Sequence, residues 1–478
     1  MENSKLITLL RMLSEKQLKK LLDFVYSPYF NKKQEIALFC SELVYFAPNF
    51  EHNKLTKEYI YTRVSGKKTF DEKEMGYWMS DLVKLTEQFI VIEQSKNEDS
   101  LYHNTLLKYY VGQKSEKFFL ATLRNAHKFQ EQYSYRDYSF YLNQYQIHEC
   151  ENEFFDRQKK HTGDDSLQKA IDNFDIYYLS LKLKYSCEIL NRRNVVMSEY
   201  HLRLLDEILI YLEHHPHDDI PPIAIYSEVL KCLRQPDVEE HFYKLREMLD
   251  RYSHFFSHEE ARDLYTYALN YCVNKVNRGR IEYTARLFEL YKTLIEKGVI
   301  YENNILSPWT YMNIVTIGVR LEQFEWIEHF INHYKSQLNP AFRENAYSYN
   351  LAYLYFHRHE YARTLRLLNE VVFDDVFYFV ESKVLLVRSY YELREHDALD
   401  SLLASFKMYL KRNKLVSDAK RERYLNFIKF VALLTKIWTG DKNVAKIIDD
   451  LKEKIKTTAN TVNTKWLIEK ADEKLKRQ

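Results

Sequence analysis

Glycine and proline are scarce enough in this chain to decide its fold class: 478 residues contain only 8 of each. Sheets need turn residues every few positions, and loops that cradle phosphate need clustered glycines. This chain can supply neither in quantity. Its prolines (28, 48, 216, 221, 222, 236, 308 and 340) also stand at apparent segment boundaries, where they do not break helices. The expectation is an all-α protein.

With 46% apolar and 29% charged residues, the chain can bury a core and is not disordered. Its length suits two to four domains or one extended repeat array. Forty tyrosines and 28 phenylalanines against five tryptophans make tyrosine the main aromatic residue. A tyrosine can bury its ring while its hydroxyl stays wet or finds an acceptor, which suits thin two-layer helical arrays. Five widely spaced cysteines without a CxxC motif argue against a disulfide framework or zinc knuckle and for a reducing, cytoplasmic setting. The opening MENSKLITLLRMLSEKQ has an apolar run broken by Arg11 and no small-residue cleavage site, so no signal peptide is expected. Lys429 and Lys436 interrupt the most apolar later stretch, FIKFVALLTKIW, so no membrane span is expected either.

Helix punctuation recurs. Ser14–Gln17, Asn31–Gln34, Asp71–Glu74 and Ser257–Glu260 fit capping boxes or close variants. Ser307-Pro308 and Asn339-Pro340 read as N-cap followed by an N1 proline, and Gly440-Asp441 as one helix end followed by the next cap. Roughly twenty helices of ordinary length fit between these signals. Four regions follow: an N-terminal helical module at 1–100, a helical-hairpin region at 101–255, a repeat region at 256–440 and lysine-rich terminal helices at 441–478.

The repetition is clearest in YSYNLAYLYFHRHEYARTLRLL, residues 347–368. Leu351, Ala352 and Tyr355 share one face of a first helix, while Tyr361, Leu365, Leu368 and Val372 line a second, with Thr364 and Val371 in the same pattern. Stepping back 37 residues from Tyr355 reaches Gly318, within NIVTIGVRLEQFEWIEHFINHY; stepping forward 35 reaches Tyr390, within VLLVRSYYELREHDALDSLLASF. A leucine followed by a small residue, a tyrosine three later and a second apolar helix resembles the tetratricopeptide repeat, whose period is about 34 residues. The resemblance is clear over 306–406. It implies an α-solenoid of stacked antiparallel helical hairpins, following the N-terminal helical module. It also implies a partner-binding groove lined by the first helices. Carried onto this chain, the groove positions are Trp309, Met312, Thr316 and Arg320, then Tyr349, Tyr353, Phe356 and His357, then Val384, Arg388 and Tyr391. Aromatics and arginine are the usual anchors of protein interfaces. Packing against neighbouring hairpins is the other use these rings could have.

No catalytic, cofactor or metal motif emerges. His329 and His333 with Glu325 have metal spacing but no further ligand, and His214, His215 and His217 with Asp218 and Asp219 fit a helix end before a proline turn. Gly66-Lys67-Lys68-Thr69 lacks the earlier glycine and the βα context of a phosphate loop. His148-Glu149 lacks a second histidine four residues after the first. The expected function is therefore a non-catalytic scaffold binding a protein or peptide. The alternative rests on charge: residues 407–478 carry a net +10 against −8 for the remainder. There Lys407, Lys411, Arg412, Lys414, Lys420, Arg421 and Arg423 interleave with Tyr409, Tyr424 and Phe427, as in nucleic-acid accessory proteins.

Overall fold

The computed structural model describes residues 1–96, 99–113, 115–158, 165–193, 200–370, 376–437 and 443–476. Among them the chain is all-α: 78% helical, with 23 α-helices and no strands. None of these helices is long and apolar enough to cross a membrane. The chain divides into two compact units, Met1–Tyr226 and Ser227–Gln478.

The first unit opens with α1 (Lys5–Arg11), α2 (Glu15–Tyr26), α3 (Gln34–Val44), α4 (Lys57–Ser65) and α5 (Glu72–Ser95). Helices α1 to α4 all pack on α5, and Leu10, Leu21, Phe39, Tyr61, Trp78 and Phe89 belong to one buried core. Ser14 and Gln17 form the expected reciprocal capping box, and Asp71 accepts from the amides of Lys73 and Glu74. Asn31 does something else. Its side chain accepts from the Lys33 amide and donates to the Val25 carbonyl, so α3 starts without a side-chain cap. Gly66, at φ +68°, closes α4, and Lys67 pairs with Glu74 at 2.8 Å, so the glycine-lysine loop is a helix end.

Next come α6 (Asp99–Gln113), α7 (Glu116–Gln132), α8 (Tyr138–Arg157), α9 (Ser166–Arg193) and α10 (Leu205–His214). Ring contacts at Phe119–Phe154, His127–His148 and Tyr133–Phe140 advance in opposite directions along α7 and α8, so these two helices are antiparallel. The boundary between the units falls inside α11 (Pro221–Arg234), within the region read from sequence as 101–255.

The second unit continues with α12 (Glu239–Tyr252), α13 (His258–Asn277), α14 (Tyr283–Glu296), α15 (Pro308–Arg320), α16 (Phe324–Tyr334) and α17 (Arg343–His357). After these follow α18 (Tyr361–Glu370), α19 (Val376–Leu393), α20 (His396–Arg412), α21 (Asp418–Lys436), α22 (Val444–Thr457) and α23 (Thr464–Lys476). Consecutive helices pair as α13/α14, α15/α16, α17/α18 and α19/α20, and α17 also packs on α15 and α19. Each pair is joined by the same turn. The amides of Arg280, Gln323, Glu360 and Glu395 donate to the carbonyls of Lys275, Gly318, Tyr355 and Tyr390 at 2.9–3.0 Å. The residue before each donor is left-handed: Gly279, Glu322, His359 and Arg394, with φ between +57° and +90°. This is the Schellman closure of a helix C-terminus. Its acceptors step by 43, 37 and 35 residues, and the last three are the positions aligned from the sequence.

Gly318 also permits a close approach. A Cβ there would stand 2.3 Å from Ile327 Cδ1 and 3.0 Å from Phe288 Cε2, so α14, α15 and α16 meet where only hydrogen fits. Ser307-Pro308 starts α15 as expected, but Asn339-Pro340 does not start α17. Asn339 instead accepts from the Ala341 amide, and the helix begins at Arg343. Gly440-Asp441, Val371 and Val372 lie outside the described residues. The lysine-rich end is not a separate layer, since Val444, Ile448, Leu451, Trp466 and Leu467 share a core with Val387, Leu403 and Phe427. All five cysteines are free and buried, and burial pushes the thiols of Cys40, Cys232 and Cys272 up to about 12.

Candidate functional site: an aromatic chain around a buried arginine

The residues carried over from the repeat resemblance lie on α15, α17 and α19, and the structure sorts them by burial. On α15, Trp309 is 52% exposed, Arg320 is exposed, and Met312 and Thr316 are half-buried. On α17, Tyr353 and His357 are half-buried, whereas Tyr349 and Phe356 are interior. Val384 and Arg388 of α19 are also interior, and Tyr391 is half-buried. Tyr349, Phe356, Val384 and Arg388 therefore depart from the expected open wall. The reason is the position of α17: it packs against α15, α16, α18 and α19, so the sides flanking its leucine-alanine stripe are covered by neighbours. Val384 belongs to the same core as Val380, Val387 and Leu399.

Side-chain contacts join most of these residues into one chain. Trp309 stacks parallel to Tyr378 at 6.5 Å between centroids, and Tyr378 meets Tyr349 edge-on at 5.6 Å. Along one face of α17, Tyr349, Tyr353 and His357 follow at 6.3 and 4.6 Å, as residues four apart must. His357 abuts Phe356 at 5.4 Å, and the Arg388 guanidinium lies 4.2 Å above the Phe356 ring. Beyond it stands Trp466 of α23, 5.5 Å from the guanidinium and 5.2 Å from Tyr391. Met312, Thr316, Arg320 and Val384 have no part in this chain of ring contacts.

Arg388 is its electrostatic centre. The side chain is 8% exposed, yet among the described residues no carboxylate lies within ion-pairing distance of it. Nη1 donates to Asn463 Oδ1 at 3.3 Å, while Nε is buried without any partner among the described residues. Burial pulls the guanidinium pKa below its ordinary value. Beside it, burial and then the positive charge of Arg388 hold His357 down at about 4, so its imidazole is neutral at pH 7, and its Nε2 is likewise unpartnered. Burial raises the Tyr349 and Tyr353 hydroxyls and the Glu381 carboxyl, which accepts from the Tyr424 hydroxyl at 2.6 Å. The nearby carboxylate Glu392 is engaged elsewhere, by Trp466 Nε1 at 2.8 Å and Lys470 at 2.9 Å. Two nitrogens without a partner among the described residues, Arg388 Nε and His357 Nε2, thus lie buried among ring faces.

Trp466, Asn463 and Tyr378 are the members that sequence reasoning missed. Trp466 had a signal, a lone tryptophan in NTKWLIEK, but its partner Arg388 lies far upstream on α19. The basic region offers less than its spacing suggested. Tyr424, Phe427 and Phe430 are core residues, Tyr409 packs on Phe379 at 4.2 Å, and Arg421 donates to the carbonyls of Leu410, Asn413 and Val416. The Tyr424 and Phe427 rings are therefore interior, and Tyr409 is half-buried. The His329 and His333 rings lie parallel at 5.5 Å on α16. No protein-family model matches the chain, and comparison with curated proteins and with solved structures gives no match either.

Proposed function

We propose that this chain is a non-catalytic scaffold that binds a protein or peptide along the aromatic chain of its second unit. In this reading the unit is a tetratricopeptide-like solenoid in a cytoplasmic protein, and the rings and Arg388 anchor the partner. The four matching turns support the repeat, because an identical closure at steps of 43, 37 and 35 residues recurs where one hairpin is used repeatedly. Arg388 carries the functional part. A guanidinium buried without a carboxylate is costly, and replacing such a charge by an apolar side chain is often neutral or stabilising. A charge whose burial no carboxylate offsets, and that sits among interface-type rings, is placed to contribute to binding.

The test is Arg388→Met, which keeps the unbranched stem and removes the charge. Thermal stability should stay level or rise. Partner recovery from native lysate, with nuclease present, should fall with an affinity loss of about 2 kcal/mol, roughly thirtyfold. Trp309→Ala, at the exposed end of the chain, should weaken capture of the same partner. A folded Arg388→Met protein that keeps every partner would sink this reading. Capture that vanishes on nuclease treatment would transfer it to the lysine-rich end.

A further inference from the structure

We propose that His127, His148 and Glu151 form a binding site for a single divalent transition-metal ion, with zinc as the fitting species. The three residues lie on the seam between α7 and α8. Its outer rungs are aromatic: Phe119 stacks on Phe154 at 3.9 Å and 9°, and Tyr133 lies parallel to Phe140 at 6.4 Å and 11°. Steps of eight and six residues separate the rungs on each helix, so the middle rung falls at 127 and 148. There the seam carries two imidazoles, 5.5 Å apart, in place of apolar rings.

Glu151 stands one turn beyond His148 on the same helix face, with Oε2 3.0 Å from His148 Nδ1. The three side chains place one ligand atom each within 4.8 Å of one another. An ordinary pairing of His148 with Glu151 accounts for two of the three residues but not for His127, which reaches the same point from the other helix. Tetrahedral ligands at zinc distances of about 2.0–2.1 Å stand about 3.3 Å apart, so closure requires the widest separation to shorten by up to about 1.5 Å. His148 is buried, whereas His127 and Glu151 are half-buried, which leaves their side chains room to close on an ion. Gln130, one turn from His127, is 2% exposed, and neither atom of its amide has a partner among the described residues. Lys169, a nearby cation, is matched by Asp165 at 2.9 Å.

The donor set selects the ion. Two imidazoles and one carboxylate suit zinc and its neighbours in the first transition row, whereas magnesium and calcium want oxygen ligands throughout. Three protein ligands leave a fourth position, which the half-buried side of the site leaves for water.

The experiment is zinc titration calorimetry on the full chain at neutral pH, with cobalt(II) visible absorption reporting the coordination geometry. One equivalent of zinc should bind, and His127→Ala and Glu151→Gln should each weaken it at least about tenfold, since even losing a hydrogen bond behind a ligand costs that much. Circular dichroism should show both variants still helical, and zinc should raise the melting temperature of the parent protein but not of His127→Ala. The control removes the histidine cluster at the end of α10, as His214→Ala, His215→Ala and His217→Ala together, and should leave the stoichiometric binding unchanged. The proposal is overturned if the parent protein binds no stoichiometric zinc. It is also overturned if His127→Ala binds zinc as tightly as the parent protein, and loss of binding in the histidine-cluster variant would then assign the ion to the end of α10.

Discussion

The α7–α8 seam and the α15–α18 pairs are both built from rings, yet the rings are held in different ways. In the second unit, the Tyr311 hydroxyl donates to the Ile331 carbonyl at 2.7 Å, Thr364 donates to Ala352 at 3.4 Å, and Tyr347 donates to Asn332 at 3.0 Å. Each of these bonds ties one helix to its neighbour, so tyrosine serves as both packing and fastening. In the first unit the tightest rung pairs Phe119 with Phe154, rings that have no hydroxyl to fasten them. The interior beside it holds Gln130, without a partner among the described residues, and a cluster of Asn104, Asn143 and Gln146. A similar ring content is fastened by hydroxyls in one place and by phenyl stacking in the other. Buried atoms without a partner among the described residues occur in both, Gln130 in the first unit and Asn350 Oδ1 and His357 Nε2 in the second. Unmatched polarity is costly in stability and is expected where it serves binding.

The contrast breaks most sharply at Phe119. Phe119→Ala removes the stacked, fully buried ring of the first seam and should cost about 3–5 kcal/mol, read by denaturant unfolding. Hydrogen exchange should then accelerate in α7 and α8 while α15–α18 keep their protection. Loss of protection in both places would show that the two regions do not hold their stability separately.

Acid sensitivity in the second unit comes next in size. His357 is held at about 4 in the folded chain against about 6.5 unfolded. The unfolded state therefore binds the extra proton between these values. Stability is fully present above pH 6.5 and falls as pH drops towards 4, by at most about 3 kcal/mol from this group. Measured from pH 7 to pH 4, His357→Leu should lose less stability than the parent protein, with the difference confined to that window. Parallel curves for the two proteins would contradict it.

Gly318→Ala tests the tight approach of α14, α15 and α16. The added methyl meets Ile327 Cδ1 at 2.3 Å and should cost about 1–3 kcal/mol, visible as a lowered melting temperature. The smallest expected effect has the opposite sign. Glu322, His359 and Arg394 hold left-handed backbone without being glycine, so His359→Gly should stabilise by up to about 1 kcal/mol, with Glu322→Gly and Arg394→Gly alike. Gly279, in the same turn, already has the favoured residue. Destabilisation by all three glycines would mean that the side chains, not the turn, hold these corners.

The recurring turn was legible at 318, 355 and 390 because those positions provide the carbonyls that close each first helix. The closing residues themselves were not legible, since glutamate, histidine and arginine stand where glycine would have signalled the turn. Tyr355 and Ala352 read as inward from their spacing, and both are buried. Tyr349 reads as partner-facing, and it too is buried. A spacing of four residues places it on a face of α17, but only the arrival of α15 and α19 decides whether that face is open.

The sequence alone determined the helical class, since a chain with so few glycines and prolines cannot turn often enough for sheets, and it marked some helix starts through local caps, as at Ser14, Asp71 and Ser257. Those are short-range effects, decided within a few residues of one another. Tertiary structure alone decided that Trp466 of α23 covers Arg388 of α19, that Arg388 finds no carboxylate among the described residues, and that His127 meets His148 and Glu151 across a seam. Pairings of this kind depend on which helix faces meet. Periodicity fixes a residue's direction around its own axis, whereas its neighbour is set by the packing of helices distant in the chain.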